Sequence, residues 1–561
     1  MNPTITSDGT MLDLPALAER FEAAAHALFP EGEANVTFEP PRRAEHGDVA
    51  TNVAFGLAKV AKKRPLDIAN AIIERALQDA DVRATVAEAI AAAGFINLRL
   101  VPQFWRRTIA SVLREGPAYG RGATRNERIS LEFGSANPTG PLVVVQGRTL
   151  SIGDTLAKTL RFAGYDVFTE WIINDAGSQF DKLARSLYAR YMQLWDDAFP
   201  FPEEGYPGDY LPPIAERIRE IDGKRWRNAP ESEWWTYFGT FGRDEIVREQ
   251  QAVAARFGVT YDLWQSEKAL HDAGAITTGI ERLRTYGLTY DKDGALWLRT
   301  TESGDNEDRV VVRSDGRPAY FANDIAYHYD KLQRADRVID ILGPDHHGYI
   351  ARLRALADAY GRNGAIEVLI AQQITLKRGD EIVSMSKRAG QIVTLADIID
   401  EVGVDAARFF FVMLSIDQPL TFDLALAKEQ SSDNPVFYVQ YGHARIASVL
   451  RKALERDVTL VEDAKRGAHL DRLSEPGEIA LARRLAEFSS VVAGIARTLA
   501  THRLPKYARD VAADFHQFYS DCLILTDDRE QTVARLGLAL ATQTVLAKAL
   551  ELCGVSAPET M

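Results

Sequence analysis

A polar turn, Gly134 to Gly140, separates the apolar-rich stretch Ile129-Ser130-Leu131-Glu132-Phe133 from a helical pattern that Pro141 opens and Gly164 stops. Strand, turn and helix in that order place a helix N-terminus at the carboxyl end of a parallel strand. Backbone N–H groups and the helix dipole favour an anion there, so a phosphate or a carboxylate is the natural ligand. Many α/β units carry such a turn without a ligand, and on the turn alone both readings stand. Metal chemistry has less to work with. The ten histidines are scattered apart from the pair His346-His347, and no HExxH, CxxC or paired-His helix occurs. Cys522 and Cys553 are too few for a thiolate metal site or a disulfide scaffold and are expected to be buried apolar residues, so no resident metal is expected.

The elements that must position this turn follow along the chain. Asp166 to Ile173 supplies the next strand, and the apolar runs Val310–Val312, Arg337–Leu342 and Val368–Ile374 alternate with helical segments. That alternation predicts an α/β fold with a doubly wound parallel sheet. Tyr188 to Phe257, rich in Trp, Tyr and Pro, fits the sheet poorly and reads as an insertion over about 188–257. Upstream, Leu14 to Leu100 reads as a small α/β unit ending in the alternating strand Gly94 to Leu100, and the Gly-, Arg- and Asn-rich stretch Gly116 to Glu127 reads as a linker. Beyond about Thr394 the strand signal gives way to amphipathic helical periodicity, as in Ile479 to Leu499. The Ala-rich windows Ala84–Ala93 and Leu538–Leu550 also read as helical. The expected division is 1–121, 122–395 and 396–561, at roughly 100–200 residues per domain.

Composition narrows the class. Hydrophobic residues at 46% and charged residues at 26% are ordinary for a globular protein. No run approaches the ~18–20 uninterrupted apolar residues of a membrane span, and Met1 to Leu14 lacks the cationic flank and apolar stretch of a secretory signal. A cytoplasmic location is expected. The formal charge of −13 argues against nonspecific coating of nucleic acid, which needs excess Lys and Arg, while leaving room for a local basic face that meets one RNA.

The turn and its neighbours carry a further likeness. Glu132-Phe133-Gly134-Ser135-Ala136-Asn137-Pro138-Thr139-Gly140-Pro141-Leu142 resembles the entry to the first signature of class I arginyl-tRNA synthetases, followed by Gly153-Asp154 and Ile172-Ile173-Asn174-Asp175-Ala176-Gly177. Tyr320 to His328, Gly343-Pro344-Asp345-His346-His347-Gly348-Tyr349 and Gly403 to Phe411 are similar to later family segments, and Met385-Ser386-Lys387-Arg388-Ala389-Gly390 to the second signature. Asn434 to Tyr441 and Gly554 to Glu559 resemble the anticodon-binding domain. Glu45-His46-Gly47-Asp48 with Gly94-Phe95-Ile96-Asn97 resembles the N-terminal domain that meets the tRNA elbow. Nearly the whole chain is covered, in family order.

The resemblance implies a Rossmann-like class I synthetase catalytic domain between a small α/β N-terminal domain and an α-helical C-terminal bundle. It also implies ATP-dependent attachment of L-arginine to tRNA(Arg), with Mg²⁺ accompanying ATP, tRNA required before the adenylate forms, and a monomer. Asp324, with Tyr320 one helical turn away, would suit a guanidinium, Glu132 and Asn137 the α-amino and α-carboxylate end, and His347 would line the same pocket. A capping Asp, a core Tyr and a metal-binding histidine pair are the plainer alternatives. Gly343 and Asp345 would receive the ribose, and Pro138, Gly140, Val143, Val145 and Gln146 would line the rest of the ATP site. Lys387, beside Met385 and Ser386, would meet the charge developing on the leaving pyrophosphate, unless it is a solvated surface lysine. In the helical third, Arg445, Arg451, Lys452, Arg483, Arg484, Arg497 and Arg503 are candidates for tRNA contact, although most would suit an ordinary solvated face.

One segment departs from the family. Where the family reads His, apolar, Gly, His, this chain has Val143-Val144-Val145-Gln146, and Ser384 replaces the first lysine of the second signature. Val143 donates no hydrogen bond, Gln146 offers a neutral amide, and Val145 sets a branched side chain where adenine is expected against bare backbone. Two other readings follow: an impaired paralogue that binds tRNA or arginine as a regulator, or one recruited to small-molecule biosynthesis or antibiotic resistance.

Overall fold

The computed structural model describes residues 12–39, 41, 46–175, 178–319, 321–346, 348–383 and 393–561. Near the N-terminus, strands β1 (Val49–Thr51), β2 (Val86–Ala92) and β3 (Phe95–Leu100) form an antiparallel sheet in the order β1-β3-β2. The helices Leu14–Leu28 and Pro65–Ala76 bury Leu17, Phe21, Ile68 and Ile72 in the adjoining core. The window Ala84–Ala93, expected to be helical from its alanines, is mostly β2. Its pairing with β3, Ala89 opposite Leu98 and Ile90 opposite Asn97, outweighs alanine's local preference.

The central sheet has five strands, all parallel: β4 (Arg128–Phe133), β5 (Asp166–Ile173), β6 (Leu263–Ser266), β10 (Arg337–Leu342) and β11 (Ile366–Ile370), in the order β11-β10-β4-β5-β6. Strand order reverses direction at β4, so the carboxyl ends of β4 and β10 flank the crevice where such sheets take ligands. The run Val310–Val312, expected in this sheet, lies instead in a separate antiparallel meander of β7 (Thr289–Lys292), β8 (Ala295–Leu298) and β9 (Arg309–Val312). A third small sheet joins β12 (Ile374–Arg378), β13 (Glu381–Val383) and β14 (Leu420–Asp423). It places one short strand beyond Thr394, where none was expected.

Gly134 turns the chain out of β4 at φ +77°. The helix that follows, Val144–Phe162, begins three residues after Pro141, because Leu142 C=O accepts from Leu395 N–H at 2.7 Å and Val143 bridges Thr394, which holds that segment extended. Gly153 lets this helix lie on β4, since a Cβ there would come within 2.1 Å of the Phe133 ring. Between β5 and β6 the chain leaves the sheet to build three helices, Ser178–Gln193, Leu211–Asp222 and Glu231–Arg256. The aromatic residues of 188–257 belong to this unit, which has its own apolar cluster around Leu187, Tyr191, Trp226, Trp234 and Phe238.

The last third is helical. The stretch Ile479 to Leu499 is two helices, Pro476–Ala486 and Phe488–Thr498, broken at Glu487. The helix Arg529–Cys553 is long and apolar enough to cross a membrane, but 72% of its apolar window is buried and it serves as the core of the bundle. Cys522 and Cys553 are buried and free.

Two fully buried arginines lock these layers together. Arg148 donates to the carbonyls of Gln372, Ser415 and Gln418 at 2.9, 2.9 and 2.7 Å. Arg408 donates to the carbonyls of Cys553 and Phe257, each at 3.0 Å, and pairs with Asp154 on the helix Val144–Phe162. Removing Arg408 leaves the Cys553 and Phe257 carbonyls without this donor and Asp154 with Lys158, 2.6 Å away, as its remaining charged partner, so Arg408→Ala is expected to lower the stability of the full chain by about 1–3 kcal/mol. Urea titration followed by tryptophan fluorescence measures it, and a midpoint equal to the parent's would show the contact to be idle.

Candidate active site

At the carboxyl end of β4 the Glu132 side chain is buried and both its oxygens are engaged. Oε1 accepts from Ser135 Oγ at 2.8 Å and Oε2 from Lys331 Nζ at 2.6 Å. Lys331, 0% exposed on the helix Phe321–Arg334, also reaches Asp340 Oδ1 at 2.6 Å, and Asp340 Oδ2 lies 2.9 Å from His328 Nε2. The other ring nitrogen, Nδ1, faces the Asp324 carbonyl at 2.8 Å. Both nitrogens of His328 thus meet acceptors, which requires the doubly protonated ring. Burial opposes that charge, but the carboxylate of Asp340 outweighs it and raises the imidazole above its ordinary value. Burial likewise opposes the Asp340 charge, yet Lys331 and His328 hold its carboxyl well below the usual range. Glu132, assigned from the sequence to the α-amino and α-carboxylate end of the substrate, is therefore already neutralised by Lys331.

Asp324, in the first turn of the helix Phe321–Arg334, is the contrasting case. Its half-buried carboxylate has no hydrogen bond or ion pair among the described residues. Burial raises it to about 6; the charges of Glu132 and Asp340 add to the rise, and His328 and Arg352 oppose it. Glu267, just past the end of β6, is raised to about 7, first by burial and then by the charges of Asp324 and Asp175, against a hydrogen bond from Asn323. Glu267 was not singled out in the sequence. The signal was a carboxylate one residue beyond a parallel strand, legible only once Leu263–Ser266 is recognised as that strand. The two carboxylates raise each other's cost of ionisation, and a cation placed between them would relieve it. Tyr320 and His347, assigned to the same pocket, lie outside the described residues.

The nucleotide candidates gather around the first turn of the helix Val144–Phe162. Gln146 folds back so that Oε1 accepts from Val143 N–H at 3.1 Å, which caps the helix. Its Nε2 hydrogens have no acceptor among the described residues. Val145 is half-buried, Pro138 buried and Gly140 half-buried, while Asn137 is exposed, its Oδ1 accepting from Asn174 Nδ2 at 3.2 Å. Gly343 follows β10, where an added Cβ would meet open space, and Asp345 and His346 are exposed just beyond it. Lys387, Ser386, Met385 and Ser384 lie outside the described residues. The flanks of that segment are fixed, by β13 before it and by the bridge from Thr394 to Val143 after it. Among the C-terminal candidates, Arg483 pairs with Asp48 at 2.8 Å and Arg484 with Asp514 at 2.8 Å, whereas Arg445 lies over the rings of Tyr441 and Tyr519.

Comparison with known proteins places this geometry. Residues 15–100 match the model of the arginyl tRNA synthetase N terminal domain, 231–411 that of the class I (R) tRNA synthetase catalytic domain, and 439–561 that of the DALR anticodon binding domain. The chain is 44% identical over 529 residues to an arginine–tRNA ligase of Syntrophotalea carbinolica, covering 94% of this chain and 95% of that one. It is 42% identical over 555 residues to one of Desulforamulus reducens, covering 97% and 98%. The fold superposes on the arginyl-tRNA synthetase of Thermus thermophilus with a TM-score of 0.77 at 22% identity, over 98% of this chain and 100% of that one. With relatives this similar along nearly their whole length, the chain belongs to the class I arginyl-tRNA synthetases.

Proposed function

We propose that the chain joins L-arginine to tRNA(Arg) at the expense of ATP, by way of an arginyl-adenylate, for translation in the cytoplasm and as a monomer. The observation that carries this reading is the pair of under-compensated carboxylates, Asp324 in the first turn of the helix Phe321–Arg334 and Glu267 just past β6, in the same domain as the helix N-terminus that follows β4. One accepts a guanidinium and the other end of the crevice accepts phosphate. The arginine α-carboxylate attacks the α-phosphorus of ATP, a P–O bond forms, and pyrophosphate leaves with the electron pair. A terminal ribose hydroxyl of the tRNA then attacks the arginyl carbonyl and displaces AMP, its proton passing to solvent. Mg²⁺ arrives as part of MgATP, held by phosphate oxygens, and Lys387 would meet the departing pyrophosphate.

The departure at Val143–Gln146 bears on rate. Losing one preorganised donor costs on the order of 10²–10³ in kcat, and two losses need not multiply. Gln146 Nε2 and the free N–H groups of the helix's first turn are the donors left in that segment.

Two measurements test the proposal. Purified chain is expected to release AMP in a manner that depends on both arginine and tRNA, and Val143→His, Val145→Gly and Gln146→His together are expected to raise the rate. An inert parent beside an active revertant would leave a binding protein on a synthetase scaffold. Arginine affinity, measured by calorimetry from pH 8 to pH 5, is expected to weaken as pH falls through 7 and 6, because protonation of Glu267 and Asp324 removes the charge that holds the guanidinium. With Asp324 titrating near 6, its protonation alone costs about tenfold at pH 5, and Asp324→Asn removes that part of the profile while leaving the part due to Glu267. A profile flat in the parent would remove Asp324 from the pocket.

A further inference from the structure

The carbonyls of the loop Asn137-Pro138-Thr139-Gly140 are held by the three-helix insertion, while the Asn137 side chain meets Asn174 at the end of β5. Gln250, on the helix Glu231–Arg256 and 1% exposed, donates through Nε2 to both the Asn137 and the Gly140 carbonyls, at 3.1 and 2.8 Å. Two carbonyl acceptors fix the amide's orientation, and Oε1, also buried, has no partner among the described residues. Tyr210, at the head of the helix Leu211–Asp222, donates its hydroxyl to the Thr139 carbonyl, and its ring lies 3.5 Å from where a Cβ on Gly140 would sit. Three of the loop's four carbonyls are therefore tied to one unit, while the N–H groups of Thr139 and Gly140 have no backbone acceptor among the described residues.

We propose that Gln250, seconded by Tyr210, is a positioning residue for adenylate formation: it sets the 137–140 loop so that its N–H groups and the helix start behind it face the nucleotide. This rests on the ligase reading. It follows from what the chain lacks. With no histidine in the Val143–Gln146 segment, donors near the phosphates come largely from backbone, and backbone is placed only as well as its carbonyls are tethered. A buried amide with an unsatisfied oxygen costs stability, and a site for the loop is what the arrangement gives in return.

The test uses the full chain with Gln250→Met, which keeps length and removes the donors, and Tyr210→Phe, which removes one hydroxyl. Both are assayed by pyrophosphate exchange with tRNA(Arg) present. Misplacement of a reacting geometry by about 1 Å costs about a hundredfold. Gln250→Met is expected to lose about that factor in kcat/KM for ATP, and Tyr210→Phe less. Arginine and tRNA dissociation constants are expected within about twofold of the parent's, a split that general unfolding would not produce. Hydrogen exchange of peptides covering 134–146 provides a readout without turnover and is expected to quicken in Gln250→Met alone of the chain's segments. Unchanged exchange and unchanged ATP kinetics would overturn the proposal, as would parallel loss of arginine and tRNA binding. A parent inert in pyrophosphate exchange would sink the ligase reading, and the hydrogen-exchange result would still decide whether Gln250 holds the loop.

Discussion

Lys331 carries the site. A lysine with no solvent contact between two buried carboxylates is a costly arrangement, since each ion loses its water and recovers it only through close, well-directed partners. Here the recovery is complete in pattern: Glu132, Lys331, Asp340 and the His328 imidazolium alternate in sign, each within hydrogen-bond reach of the next. The chain of charges crosses from β4 to β10, the two strands whose ends open the crevice, and pins the helix Phe321–Arg334 over both. Asp324 sits one turn before His328 on that helix, and its carboxylate makes no ion pair among the described residues, although the charges of His328 and Arg352 reach it. In this chain of charges every buried ion is satisfied, and Asp324 beside it is not.

Much of this was legible in the sequence, for reasons that differ by element. The strands β4, β5 and β10 are buried on both faces and read as apolar runs, and the turn after β4 is marked by Gly134 and by polar residues. The edges were harder. β6 is four half-buried residues, so its composition carries no apolar run and Glu267 passed unnoticed beside it. β2 is alanine-rich and is a strand only because β3 lies alongside, and β9 is apolar but serves a meander. Lys331 and Gln250 look like surface residues on a helix in one dimension; each is held by a partner more than a hundred positions away, Glu132 and Gly140, with Asp340 nearer in sequence to Lys331. Charge pairing of that range leaves no periodic trace.

The altered first signature acquires a physical setting in the structure. The Val143 side chain has no donor to offer, yet its backbone bridges Thr394, so it joins the start of its helix to the start of the helix Leu395–Val402. Gln146 is divided between capping the helix and presenting an amide outward. The segment thus retains a structural task that side-chain chemistry alone does not reveal, and the helix it begins is anchored along its length by Gly153 on Phe133 and by Asp154 on Arg408.

That last contact has a consequence for how the molecule is made. Arg408 binds Asp154 and the Cys553 carbonyl at once, and Ser556 N–H and Gln440 in turn hold Asp405, one turn before Arg408 on the same helix. During synthesis the nucleotide-facing helix leaves the ribosome long before residues 553–556 exist. Its buried carboxylate has Lys158, one turn along the same helix, as a partner from the start, whereas Arg408 meets the Cys553 carbonyl only once the helix Arg529–Cys553 has been released. The last tether of Arg408 is thus also the last to be synthesised.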